Sequence, residues 1–306
     1  MNNLKAPKSF AERALRRGAV LFYEYFTLPI LGWVPRYVYG NNAGLVNNLR
    51  SPRHLAALQN AYAGVKPRVS EAEEFRKQGM TALGYPHPAD LTQRIHTKLL
   101  ACLEDPERSV AQGGPPYQKA HVLVKDPLKH IPEVEQLLSP AVIRAVEGYY
   151  GCGFRVETLR CWRNYHVPGM DTQSNVFSNQ WHNDQFDTNV MKYFIYFTDG
   201  INRDNGAFRC HPIPGTKKVM RAFGFFRRSH IFGPAKKMIE DPARIAYLEG
   251  GVGFSFLANP TLCVHRAGIP AEGQYRDIVQ FTFLPSAQPL AADWAAQMPA
   301  DDLSYL

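Results

Sequence analysis

The run Phe154-Arg155-Val156-Glu157-Thr158-Leu159-Arg160-Cys161-Trp162-Arg163-Asn164-Tyr165 alternates in the two-residue rhythm of a β-strand. It marks a change of texture. Ahead of it, segments 52–63, 70–80, 91–104 and 139–149 space their apolar residues by three or four, as amphipathic helices do. Pro/Gly-rich breaks such as Tyr85-Pro86-His87-Pro88 and Gly113-Gly114-Pro115-Pro116 separate them, and Ser139-Pro140 reads as an N-cap followed by proline at the first helical position. Beyond it, residues 190–197 form an aromatic strand, and Asp199-Gly200 and Asp204-Asn205-Gly206 supply turns. The expectation is a helical N-terminal part followed by a mostly β half.

Within the β half stands Gln180-Trp181-His182-Asn183-Asp184. A strand puts residues i and i+2 on one face, so His182 and Asp184 can aim an imidazole and a carboxylate at one spot. Those are two of the three ligands of the facial triad that holds Fe(II) and leaves one octahedral face open. Ten His and thirteen Asp in 306 residues give about 0.4 such pairs by chance, so the pair needs context. The context lies downstream. Thr261 to His265 reads as a strand ending in a histidine, Ile269 to Gly273 as a loop, and Tyr275 to Phe283 as a return strand opening with Arg276. A guanidinium there can meet a carboxylate with a planar two-point fork.

These residues resemble the phytanoyl-CoA dioxygenase family of Fe(II)/2-oxoglutarate oxygenases. The resemblance spans roughly residues 140–285 and rests on Trp181-His182-Asn183-Asp184, Asp204-Asn205-Gly206-Ala207, Pro212-Ile213-Pro214-Gly215-Thr216-Lys217, His265 and Arg276. Lys217 and Gly251-Val252-Gly253 depart from the usual pattern without touching the proposed ligands. The resemblance implies that His182, Asp184 and His265 bind iron and that Arg276 holds the far carboxylate of 2-oxoglutarate. It also implies a small-molecule substrate and O2, and an oxidation at a C–H bond. A carboxylate at Asp184, where related halogenases carry a small residue, favours hydroxylation, desaturation or cyclisation. Two alternatives stay open. One is a cupin-type metalloenzyme that does without 2-oxoglutarate; the other is a binding protein with a relic site.

Short strands, Gly/Pro turns and a metal site at the mouth point to a double-stranded β-helix, a cupin-like jelly roll flanked by helices. Closure of such a barrel lets His182 meet His265. The expected boundaries are a basic, aromatic arm over 1–50, helices over 51–150, the catalytic core over 151–290 and a tail over 291–306.

Charge is unevenly placed: residues 1–70 carry ten Lys/Arg and two Glu, and the rest of the chain is balanced. The apolar stretch 19–34 follows Arg13, Arg16 and Arg17, but Glu24 and Pro29 interrupt it and it is shorter than the ~20 residues of a membrane span. It reads as packing against the core, with a peripheral membrane contact as the alternative. Five cysteines without a C-x-x-C pair suit a reduced, cytoplasmic setting; Cys210 and Cys263 read as small core residues on strands. Residues 217–237 hold seven basic residues, four phenylalanines and no acid. They read either as a solvated loop or as a lid that clamps an anionic substrate, with Arg227, Arg228 and, beside the ligand pair, Gln180 as candidate contacts. No nucleic-acid module accompanies the insert, so nucleic acid is not an expected partner.

Overall fold

The computed structural model describes residues 43–65, 72–112, 120–166, 181–182, 184, 189–223 and 239–298. The stretch 19–34, Gln180, Arg227 and Arg228 lie outside them. Six helices are described: α1 (Ala43–Ala63), α2 (Glu73–Gln78), α3 (Ala89–Glu104), α4 (Pro127–His130), α5 (Pro140–Tyr150) and α6 (Ile213–Phe223). Ten strands accompany them: β1 (Met80–Gly84), β2 (Ser109–Gln112), β3 (His121–Val124), β4 (Gly153–Tyr165), β5 (Met191–Tyr196), β6 (Phe208–Cys210), β7 (Ala246–Leu248), β8 (Ser255–Ala258), β9 (His265–Arg266) and β10 (Tyr275–Ser286).

The strands form two antiparallel sheets. The larger runs β1-β8-β5-β10-β4-β3-β2 and the smaller β7-β6-β9. After β4 the chain crosses to the small sheet, where His182 bridges His265, returns for β5, crosses for β6 and β7, and alternates again through β8, β9 and β10. This repeated exchange between facing sheets is the jelly roll expected from the sequence.

Alternation along the large sheet separates two interiors. Leu159 and Cys161 of β4, Tyr193 and Ile195 of β5, Leu257 of β8 and Val279 and Phe281 of β10 pack beneath the helices. There they meet Leu91, Ile95 and Leu99 of α3, spaced by four, and Val142, Val146 and Tyr150 of α5. The even-numbered neighbours Trp162, Phe194, Tyr196, Phe256 and Ile278 face the other way and meet Phe208 of the small sheet. On the helix side Arg163 and Asp277 form a buried two-point ion pair at 2.6 and 2.8 Å, and the Arg163 guanidinium lies 3.9 Å from the Tyr275 ring centroid. That pair also fixes the register of β4 on β10.

Several sequence readings change. The region 51–150 is not only helical, because β1, β2 and β3 extend the large sheet on both edges. Their short runs sit between Pro/Gly breaks and carry too few residues to show a period. Ser139 has extended N-cap backbone angles, but its hydroxyl makes no cap hydrogen bond. Cys210 is on β6, whereas Cys263 is in a turn rather than a strand, since the Asn259 side chain accepts from the amides of Thr261 and Leu262 and bends the chain there. His265 therefore opens β9 instead of ending a strand. Part of the insert is helical: α6 runs through residue 223, and 224–238 lie outside the described residues. In the tail, Trp294 packs edge-on against Phe281 at 5.9 Å and closes the core. No helix among the described residues is long and apolar enough to cross a membrane.

Phe281 is fully buried against Tyr193, Phe283 and Trp294. Phe281→Ala is expected to lower stability by about 3–5 kcal/mol in urea unfolding, the range of a large cavity; a loss below 1 kcal/mol would mean the core does not close there.

Candidate metal and anion site

His182 and His265 are joined backbone to backbone, each amide donating to the other's carbonyl at 3.0 and 2.9 Å. Asp184 is tied separately, its amide donating to the Pro260 carbonyl at 3.0 Å. A two-residue bridge and one outlying bond therefore do what a regular strand was expected to do. The Asp184 Oδ1 atom lies 3.4 Å from His182 Nε2 and 3.8 Å from His265 Nε2, and all three side chains are buried. The three offer ligand atoms within 4.8 Å of one another, close enough to hold one metal ion. His265 Nδ1 sits 3.0 Å from the Cys263 carbonyl, so that nitrogen carries the proton and Nε2 presents its lone pair. Stacking on Phe208, with ring centroids 5.3 Å apart, fixes the ring.

The same carboxylate meets a cation that sequence reasoning missed. Lys192 of β5 places Nζ 2.7 Å from Asp184 Oδ2. Burial would raise the Asp184 pKa, but the Lys192 ammonium beside it, with the two imidazoles close by, outweighs that and holds the group well below the usual carboxylate range. A lysine inside the apolar run Val190 to Phe197, at a position whose neighbours all alternate, was the signal available for it.

A cavity of about 250 Å³ adjoins the triad, lined by Asp184, Lys192, His265 and Arg276 with Arg160, Trp162, Asn164, Phe194, Ile278 and His121 among others. Register brings these side chains together: Arg276 faces Asn164 across β10 and β4, and His121 of β3 faces Asn164 on its other side. His121 Nδ1 and Asn164 Nδ2 are 2.7 Å apart, and Asn164 Oδ1 accepts from Arg276 Nη2 at 3.2 Å and from Trp162 Nε1 at 2.8 Å. Arg276 Nη1 donates to the Gly206 carbonyl. Arg276 is 3% exposed, has no carboxylate partner among the described residues, and its Nε has no hydrogen-bond partner. Burial draws its pKa below the ordinary guanidinium value. The result is a fixed buried cation without an acid, an arrangement that favours an anion.

Both motifs between the ligand pair and His265 have structural reasons. Gly206 takes a φ of +77°, a left-handed turn that aims its carbonyl at Arg276. Asn205 Oδ1 accepts from the Ala271 amide and so anchors the loop between β9 and β10. Thr216, buried in the first turn of α6, accepts from the Val264 amide and donates to the His211 carbonyl, both at 2.9 Å. His211 and His166 do not reach the cavity; they meet the carbonyls of Ile239 and Pro270. Arg266, the other residue of β9, is not among the residues that line the cavity.

Neither a protein-family model nor a curated protein matches the chain. Among solved structures it is similar to the non-heme alpha-ketoglutarate-dependent epimerase SnoN from nogalamycin biosynthesis, at 14% identity over 75% of this chain and 84% of that one, TM-score 0.48. SnoK, a carbocyclase of the same description and biosynthesis, matches at 14% identity over 75% and 90%, TM-score 0.48. HygX from Streptomyces hygroscopicus, solved with nickel and 2-oxoglutarate bound, matches at 13% over 69% and 85%, TM-score 0.46. Likeness at this level carries neither reaction nor substrate across.

Burial depresses the His265 and His121 pKa values to about 3 and that of His87 to about 4, from 6.5. The unfolded chain therefore takes up protons first as the pH falls below 6.5, and stability drops until the folded groups protonate. Each histidine contributes at most ~1.4 kcal/mol per pH unit in that window. The urea midpoint of metal-free protein is expected to fall steadily from pH 7 to pH 4.5. A flat profile would contradict the neutral, buried state of these rings.

Proposed function

We propose that the chain is an Fe(II)/2-oxoglutarate-dependent oxygenase acting on a C–H bond of a small molecule, with hydroxylation as the outcome. The observation that carries this reading is one cavity lined both by Asp184 and His265 of a two-histidine, one-carboxylate cluster and by a buried arginine that has no acid partner among the described residues. Two imidazoles and a carboxylate suit ferrous iron. A dicarboxylic keto acid suits Arg276, since only a fixed cation replaces well the water such a carboxylate gives up. With both bound, the site would couple decarboxylation of 2-oxoglutarate to succinate and carbon dioxide with oxidation of the substrate, one oxygen atom of O2 entering succinate and the other the C–H bond as a hydroxyl.

The protein's own residues hold and orient. His182, Asp184 and His265 would hold the metal, and Arg276 would hold the distal carboxylate while Asn164 and Gly206 keep its guanidinium in plane. Trp162, Phe194 and Ile278 line the cavity with apolar surface that keeps water from the reacting bond. The likeness to phytanoyl-CoA dioxygenases rests on the quoted motifs alone and does not name the substrate. An anionic substrate, suggested by Arg227 and Arg228, is supported by Arg160 on the cavity wall.

Anaerobic titration with Fe(II) is expected to show about one ion per chain, with tight binding abolished in His182→Ala, Asp184→Ala and His265→Ala. Retention by Asp184→Ala would remove that residue from the ligand set.

Arg276→Ala removes one partner of a buried pair, a loss of roughly 2–5 kcal/mol. Affinity for 2-oxoglutarate should fall by tens to thousands of fold with metal affinity little changed, and Arg276→Lys should recover only part of it. Arg266→Ala is the control and should leave the 2-oxoglutarate KM near wild type. If metal binds and Arg276→Ala has no effect on keto-acid affinity or succinate formation, the cupin-type alternative without 2-oxoglutarate is correct.

A further inference from the structure

We propose that Lys192 is a positioning residue that confines Asp184 to one-oxygen coordination of the metal; this rests on the metal reading above. The two carboxylate oxygens face different partners. Oδ1 points at both imidazole Nε2 atoms, at 3.4 and 3.8 Å, while Oδ2 is taken by Lys192 Nζ at 2.7 Å. Neither side is free to swing. The Asp184 backbone is held by Pro260, and Lys192 stands on β5 between Met191 and Tyr193, both fully buried under the helices. The lysine side chain itself is 17% exposed.

Compensation of the buried carboxylate accounts for a cation near Asp184 but not for its effect on a bound metal. An ammonium beside a ligand carboxylate repels a divalent cation on the carboxylate's other oxygen, so it does not serve metal affinity. What it changes is the number of positions the carboxylate takes. A carboxylate bound through both oxygens would occupy two octahedral sites and leave two, one fewer than a keto-acid chelate plus one further ligand require. Engaging Oδ2 elsewhere leaves three. A charge-assisted bond is strong enough for this, and partners of ligand carboxylates commonly tune metal sites in this way.

Co(II) is a suitable probe because its visible spectrum reports coordination number and it binds without turnover. In Lys192→Met we expect Co(II) to bind as tightly as in wild type or more tightly, its d–d spectrum to shift, and anaerobic 2-oxoglutarate affinity of the Co(II) form to fall about tenfold or more. Lys192→Arg keeps a donor for Oδ2 and should restore the wild-type spectrum. A wild-type spectrum and keto-acid affinity in Lys192→Met would overturn the proposal. So would loss of Co(II) binding in that variant, which would make Lys192 a support of the whole site. If wild-type protein binds no Co(II), the metal reading fails and this inference fails with it.

Discussion

The pairing of β10 with β4 and β5 sets nearly everything else. β10 lies between them in the large sheet, and its side chains alternate between two environments with opposite requirements. Asp277, Val279 and Phe281 go under the helices, while Arg276, Ile278 and Gln280 enter the cavity. A slip of one residue would exchange the two sets, putting a guanidinium into the aromatic core and phenylalanines into the cavity. The Arg163–Asp277 pair makes that slip costly, because each charge would lose its partner inside the protein. Register is thus specified by apolar burial and charge pairing together.

The cavity places ionic groups where water is scarce, and the protein compensates each differently. Asp184 is met by Lys192 and two imidazoles. His121 and His265 stay neutral because burial and nearby positive charge disfavour protonation. Arg276 is treated differently, for its polar partners are an amide oxygen and a carbonyl, which hold its plane without neutralising it. Among the described residues it is a buried cation in want of an anion, and this asymmetry gives the site its chemical direction.

Much of this was legible in the sequence because the chemistry restricts residue types. His182, Asp184, His265 and Arg276 could be read from identity and spacing, and the texture change near Phe154 separated helices from sheet. Less legible were features defined by register rather than identity. His121 belongs to a four-residue strand too short to show a period, and Asn164 acquires its role only by lying opposite Arg276. The turn at Asn259–Cys263 looked like a strand because its apolar residues are buried, while its direction is set by one asparagine side chain. Arg163 could be read as an alternating surface residue; the helices that bury it are distant in sequence.

The Thr216 hydroxyl lies between α6 and the strand that carries His265. It joins the helix's first turn to the Val264 amide, and the His211 amide donates to the Val264 carbonyl at 2.8 Å. Residue 264 is thereby clamped on both of its backbone groups, immediately before His265. The first turn of α6, with His211 just ahead of it, is therefore tied through two hydrogen bonds to the backbone next to the His265 imidazole, so a tilt of the helix would be passed to that ring. A substitution at the start of this helix would thus be felt at the triad without any change among the three residues themselves.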